Sequence, residues 1–83
     1  MTDSGEVTLS IERIIKVPSI WIIGITDDPE AAMQKHDNPT SWFQWRVASA
    51  EDARKVEKHF LDMGVAGTPG ENGSSRYVFI YLN

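Results

Sequence analysis

The apolar run Trp21-Ile22-Ile23-Gly24-Ile25 constrains this chain more than any other stretch. β-Branched and aromatic residues fit a pleated, packed surface, and a run without polar alternation predicts a strand covered on both faces. Its one interruption, Gly24, marks a place where another backbone or a helix comes close. The run stops at Asp27-Asp28-Pro29. Asp28 predicts a helix N-cap, and Pro29 takes the first helical position, where its missing N–H costs nothing. Glu30 adds negative charge near the positive end of that helix. Pro29, Ala32, Met33 and His36 then recur at helical spacing. Ile20 to His36 thus predicts a buried strand, a tight turn and an amphipathic helix.

The rest of the chain arranges itself around that unit. Met1 to Glu6 is polar and reads as a disordered tail. Val7, Ile11, Ile14 and Ile15 follow helix spacing, while Val7, Leu9 and Ile11 alternate like a strand. A helix over about 8–16 is preferred, with Thr8 as its cap, Lys16 at its negative end and Pro18 forcing the exit. Ser41 to Ala48 predicts a second strand. Its core face carries Phe43, Trp45 and Val47, and its other face Trp42, Gln44 and Arg46. Ser49, with Asp52 three residues on, opens a helix whose apolar stripe is Ala53, Val56, Phe60 and Met63. Gly64 ends it as the C′ residue. Residues 67–75 form a Gly-rich, flexible loop by composition. Tyr77 to Leu82 is the last strand, with Tyr77, Phe79 and Tyr81 alternating against Val78, Ile80 and Leu82. The expected architecture is one small α/β (α+β) domain spanning 1–83. It has a three-stranded sheet packed with about three helices, in the order α-β-α-β-α-β.

Composition narrows the function classes. The 83 residues hold no cysteine, which excludes disulfides, thiolate metal sites and cysteine nucleophiles. A net charge of −4 gives no general attraction to phosphate backbones. A protein partner is therefore favoured over nucleic acid. No apolar run reaches the ~20 residues that span a membrane, and the expected location is the cytoplasm.

Two side chains invite a chemical reading on their positions alone. Glu57 falls inside the apolar face of its helix, between Ala53, Val56 and Phe60. A carboxylate there is paired, hydrogen-bonded or metal-bound, or else desolvation raises its pKa. The bland account is a structural carboxylate bonded to a Trp N–H, a Tyr hydroxyl or His36. His36 lies on the apolar side of its own helix, as a general base or as a packed helix-end residue. Trp42 reads either as a cover for a helix or as an exposed stacking platform. Two histidines without HExxH spacing do not make a zinc site.

The stretch IIGIT-DDPEAAMQKH also resembles the second half of the GIY-YIG nuclease signature. Gly24, Thr26 and His36 match it. Ile22 stands where the family has its Tyr, and Ala32 where it has its Arg. The resemblance covers Ile20 to Met63, about half the chain. It implies a GIY-YIG-like sheet, with Glu57 at a place similar to the family's metal-binding Glu. The family's GIY strand has no counterpart before Pro18. The Tyr77–Leu82 strand looks like that partner moved to the other end, in a circularly permuted arrangement. It is then expected to pair with Ile20–Thr26. On this reading the loss of Tyr and Arg points to a non-catalytic binding or interaction module needing no cofactor. The alternative is a magnesium-dependent endonuclease. Its catalytic set would be Glu57, His36 and Tyr77 or Tyr81, with Glu57 on the metal and Arg46 or Arg76 replacing the lost Arg. Arg46, Trp42 and Arg76 are also the candidate contacts to a partner or nucleic acid. A third reading is an acidic protein that competes for a partner's nucleic-acid site.

Overall fold

The computed structural model describes residues 3–68 and 75–82. Helix α1 (Ser4–Ile14) is followed by a short 3-10 turn at Pro18–Ile20 and by strand β1 (Trp21–Thr26). Helix α2 (Pro29–Lys35), strand β2 (Trp42–Arg46) and helix α3 (Ala50–Asp62) come next. Strands β3 (Ala66–Gly67) and β4 (Tyr77–Leu82) complete a mixed sheet in the order β2-β4-β1-β3. The domain is a small α+β unit.

The central strand pairs as expected with the C-terminal one. Trp21 lies opposite Leu82 and Thr26 opposite Tyr77 in an antiparallel ladder. β2 pairs with the other side of β4, and β3 runs parallel to β1. Among the described residues the sheet therefore has four strands where the sequence predicts three. β3 is two residues long and has no apolar pattern to announce it. Its pairing continues into the Thr68 amide, which donates to the Ile23 carbonyl at 3.1 Å. The segment expected as a loop at 67–75 thus begins inside a strand, and 69–74 lie outside the described residues.

Alternation divides the sheet into two faces. On one, Trp21, Ile23, Ile25, Val78 and Ile80 meet Val7, Ile11 and Ile15 from α1 and its exit. Ala53, Val56 and Phe60 of α3 complete this main core. Trp45 packs at its margin and Val47 is fully buried, but Phe43, expected inside, is 40% exposed. β2 is the edge strand, so Phe43 has neighbours on one side only. Met63, expected in the α3 stripe, is also exposed, because it is the cap residue beyond the last turn. Gly64 follows in the left-handed conformation, at φ 101°, as the C′ position favours.

Helix starts follow the capping chemistry. The Asp28 carboxylate accepts from the Ala31 amide at 3.1 Å, and the Ser49 hydroxyl accepts from the Asp52 amide at 3.2 Å. α1 starts four residues earlier than expected. Asp3 caps it through the Gly5 and Glu6 amides, and Thr8 instead donates its hydroxyl to the Ser4 carbonyl inside the helix. Ser4 to Glu6 are accordingly helical rather than a tail.

Candidate functional site

The second face of the sheet carries Ile22, Gly24 and Thr26 on β1, Tyr77, Phe79 and Tyr81 on β4, and Trp42, Gln44 and Arg46 on β2. α2 packs on this face through Ala32, so α2 and α3 flank opposite sides. Ala32, Phe79 and Tyr81 are buried here, with Ile22 and Trp42 packed against them as a second, smaller core.

Gly24 is the space-maker of this face. A Cβ added there would lie 2.4 Å from Phe79 Cζ and 2.6 Å from Thr68 Oγ1. The close approach expected at this glycine is real, but it is made by side chains rather than by a helix or a backbone. Thr26 shapes the exit from β1. Its hydroxyl accepts from the Asp28 amide at 3.0 Å and donates to the Asp28 carbonyl at 3.2 Å.

His36 reaches the sheet because of how α2 ends. The Asp37 amide donates to the Gln34 carbonyl and the Asn38 amide to the Met33 carbonyl, a Schellman closure. Asp37 and Asn38 both hold positive φ, at 64° and 49°. Asp and Asn tolerate that region better than other non-glycine residues. The turn leaves His36 at the helix end, half-buried over β4. Its Nδ1 and the Tyr81 hydroxyl share a hydrogen bond of 3.0 Å. Their rings are 5.0 Å apart, and burial raises the Tyr81 pKa above its ordinary value.

Trp42 lies flat against this pair. It stacks on Phe79 at 4.5 Å and on Tyr81 at 5.6 Å, and its indole N–H donates to Gln44 at 2.8 Å. It covers aromatic residues of β4 rather than a helix. Phe79 is the hub, touching Trp42, Tyr81 and His36. Sequence reasoning left Phe79 without a role, although its alternation with Tyr77 and Tyr81 put it on this face.

The other candidates are dispersed. Tyr77 sits four residues from Tyr81 on the same strand, roughly 13 Å away. It is in register with Thr26 and Arg46. Arg46 is exposed on β2, and Arg76 is exposed at the entry to β4, its carbonyl accepting the Val47 amide. Glu57 is half-buried on α3, across the sheet from His36 and Tyr81. Burial raises its pKa, and among the described residues no hydrogen-bonded or charged group offsets that desolvation. The expected partners are engaged elsewhere: the Trp42 N–H with Gln44, and Tyr81 with His36. His59, on the same helix, approaches Glu12 of α1 at 3.7 Å instead.

A magnesium ion needs several oxygen ligands in near-octahedral array. Among the described residues no group of three His, Asp or Glu side chains is placed to hold a metal. Glu57 on its own does not fit that requirement. The space between Thr26, Ala32, Lys35, His36, Thr68 and Phe79 measures about 10 Å³, at the limit for one water. Among the described residues no helix is long and apolar enough to cross a membrane. No protein-family model, curated protein or solved structure matches this chain.

Proposed function

We propose that this chain is a non-catalytic binding module on a GIY-YIG-like frame, working in the cytoplasm with a protein partner. One observation carries the reading. Ile22 and Ala32, which stand where the resembled nucleases have Tyr and Arg, belong to the apolar cluster with Phe79, Tyr81 and Trp42. Phosphodiester cleavage needs a cation for the developing charge and a positioned hydroxyl, and losing one such donor typically costs about 10²–10³ in rate. Here both positions are filled by packing residues. The Tyr81 hydroxyl is held by His36, and Glu57 lies beyond the sheet. The net charge of −4 favours a protein over a nucleic acid as partner.

The test is incubation of the purified protein with supercoiled DNA, single-stranded DNA and structured RNA, with magnesium or manganese. No cleavage is expected. Metal-dependent cleavage that disappears in both Glu57→Ala and His36→Ala would overturn the proposal in favour of the nuclease. Cleavage that persists in both variants is a contaminant, which repurification removes.

A further inference from the structure

Among the described residues β2 is an edge of the sheet, and its outward side has a definite chemistry. The Val47 amide donates to the Arg76 carbonyl across the β2–β4 ladder. Hydrogen-bonded and non-bonded pairs alternate in an antiparallel ladder. Phe43 and Trp45 therefore turn their backbone groups toward β4, and Trp42, Gln44 and Arg46 turn theirs outward. Edge strands are usually guarded by Lys, Pro, a bulge or a covering element. The strand Trp42-Phe43-Gln44-Trp45-Arg46 has one cation, three aromatics and no proline, and α3 packs over β1, β3 and β4 instead.

We propose that this edge is a self-association site, on which a second copy of the chain adds its own β2 antiparallel about a two-fold axis at Gln44. Outward backbone groups can pair only with outward ones. The register centred on Gln44 pairs Gln44 with its copy and Trp42 with Arg46 on either side of the axis, so every outward group of the strand is used. The side chains then match. Trp42 gives one ring face to Phe79 at 4.5 Å, with the rings nearly parallel at 11°. In this pairing the second copy brings its Arg46 beside the indole, on the side opposite Phe79 and Tyr81. A guanidinium over an indole face is the favourable cation–π arrangement. On the face covered by α1 and α3, exposed Phe43 comes opposite the Trp45 of the second copy in a non-bonded pair, the closest cross-strand geometry. Within the strand pair no like charges lie opposite one another. An unrelated extended peptide would satisfy the backbone without reproducing these pairings. The inference is independent of the non-catalytic reading, and a positive nuclease assay would leave it standing.

The absence of native cysteine makes a direct test clean. In this register the two Gln44 Cα atoms lie about 5.5 Å apart, inside the range a disulfide bridges. Gln44→Cys is expected to form a covalent dimer under mild oxidation, and Lys55→Cys, on the exposed side of α3, is not. Sedimentation equilibrium of the wild type from micromolar to millimolar concentration is expected to show a monomer–dimer equilibrium. Arg46→Glu should weaken it about tenfold. Arg54→Glu, the same charge change on α3, should not, and circular dichroism of both variants checks that each is folded. A wild type that stays monomeric at millimolar concentration overturns the proposal. So does equal cross-linking of the two cysteine variants, or equal weakening by the two charge reversals.

Discussion

Replacing Gly24 with alanine is the sharpest perturbation of the second core. The added methyl would sit 2.4 Å from Phe79 Cζ, 2.9 Å from Phe79 Cε2 and 2.6 Å from Thr68 Oγ1. Carbon atoms pack best at about 3.5–4.0 Å, so the ring tip must retreat by roughly 1 Å or more. Phe79 has nowhere to go. It is 2% exposed, Trp42 stacks on it, and His36 lies against it. Thr68 is tied to β1 through its amide. Overpacking of this kind costs about 1–3 kcal/mol. Two clashes place Gly24→Ala in the upper half of that range, which lowers the melting temperature of a domain this size by roughly 8–24 °C. The remedy is specific. Phe79→Leu removes both ring atoms that the methyl meets. Alone it loses ring packing, at a cost below the roughly 3–5 kcal/mol of a full Phe→Ala truncation. In the double variant the two changes should compensate, with a favourable coupling of about 1 kcal/mol or more. Urea titrations of the four proteins measure it. Additivity within about 0.3–0.5 kcal/mol, the behaviour of independent sites, would refute the reasoning, as would a Gly24→Ala protein of wild-type stability.

Two further outcomes follow from the same structure. Tyr81→Phe removes the hydroxyl that shares a hydrogen bond with His36; it should cost about 0.5–1.5 kcal/mol, and a urea midpoint at or above the wild-type value would show that bond to be without net worth. Glu57 has a raised pKa from burial, so the native state holds its proton to higher pH than the unfolded chain does. Stability from this group is then full below the ordinary glutamate value and is lost as pH rises through the raised one. Glu57→Gln, neutral throughout, should therefore be the more stable protein at neutral pH, by under about 1 kcal/mol given the partial exposure. Its advantage should vanish in acid, and urea midpoints that differ equally at both pH values would dismiss the account.

How far the sequence disclosed the fold depended on whether the information was local. The β1 run, the Asp28 and Ser49 caps and the Gly64 terminus were legible because each rests on neighbours in the chain. α1 was misplaced at its start because Asp3 and Thr8 are both good caps, and only the amides of Gly5 and Glu6 decide between them. β3 was invisible because two small residues paired through their backbone carry no pattern. The main core was readable as helix stripes meeting a strand face. The second core was not, because it depends on α2 and β2 meeting β4 across long separations. His36 and Tyr81 are 45 positions apart; the nuclease resemblance groups them in its alternative catalytic set, but no local pattern in either stretch names the other.

That second core also gives physical content to the partial match with the nuclease signature. Each matching position has a packing or hydrogen-bonding task here: Gly24 leaves room for Phe79, Thr26 fixes the turn into α2, and His36 ties the end of α2 to Tyr81. The two departures, Ile22 and Ala32, are apolar and join the same cluster. A Tyr and an Arg at those places would bring polar groups that need partners or water, and an open face would suit them. With Ile and Ala there, closing the face under Trp42 is favourable, and the two apolar residues support one another. Placing one of those residues alone here is therefore a change to packing first. An Arg at position 32 would meet Phe79 and Tyr81 in a packed cluster before it met a phosphate, and its first effect would be on folding.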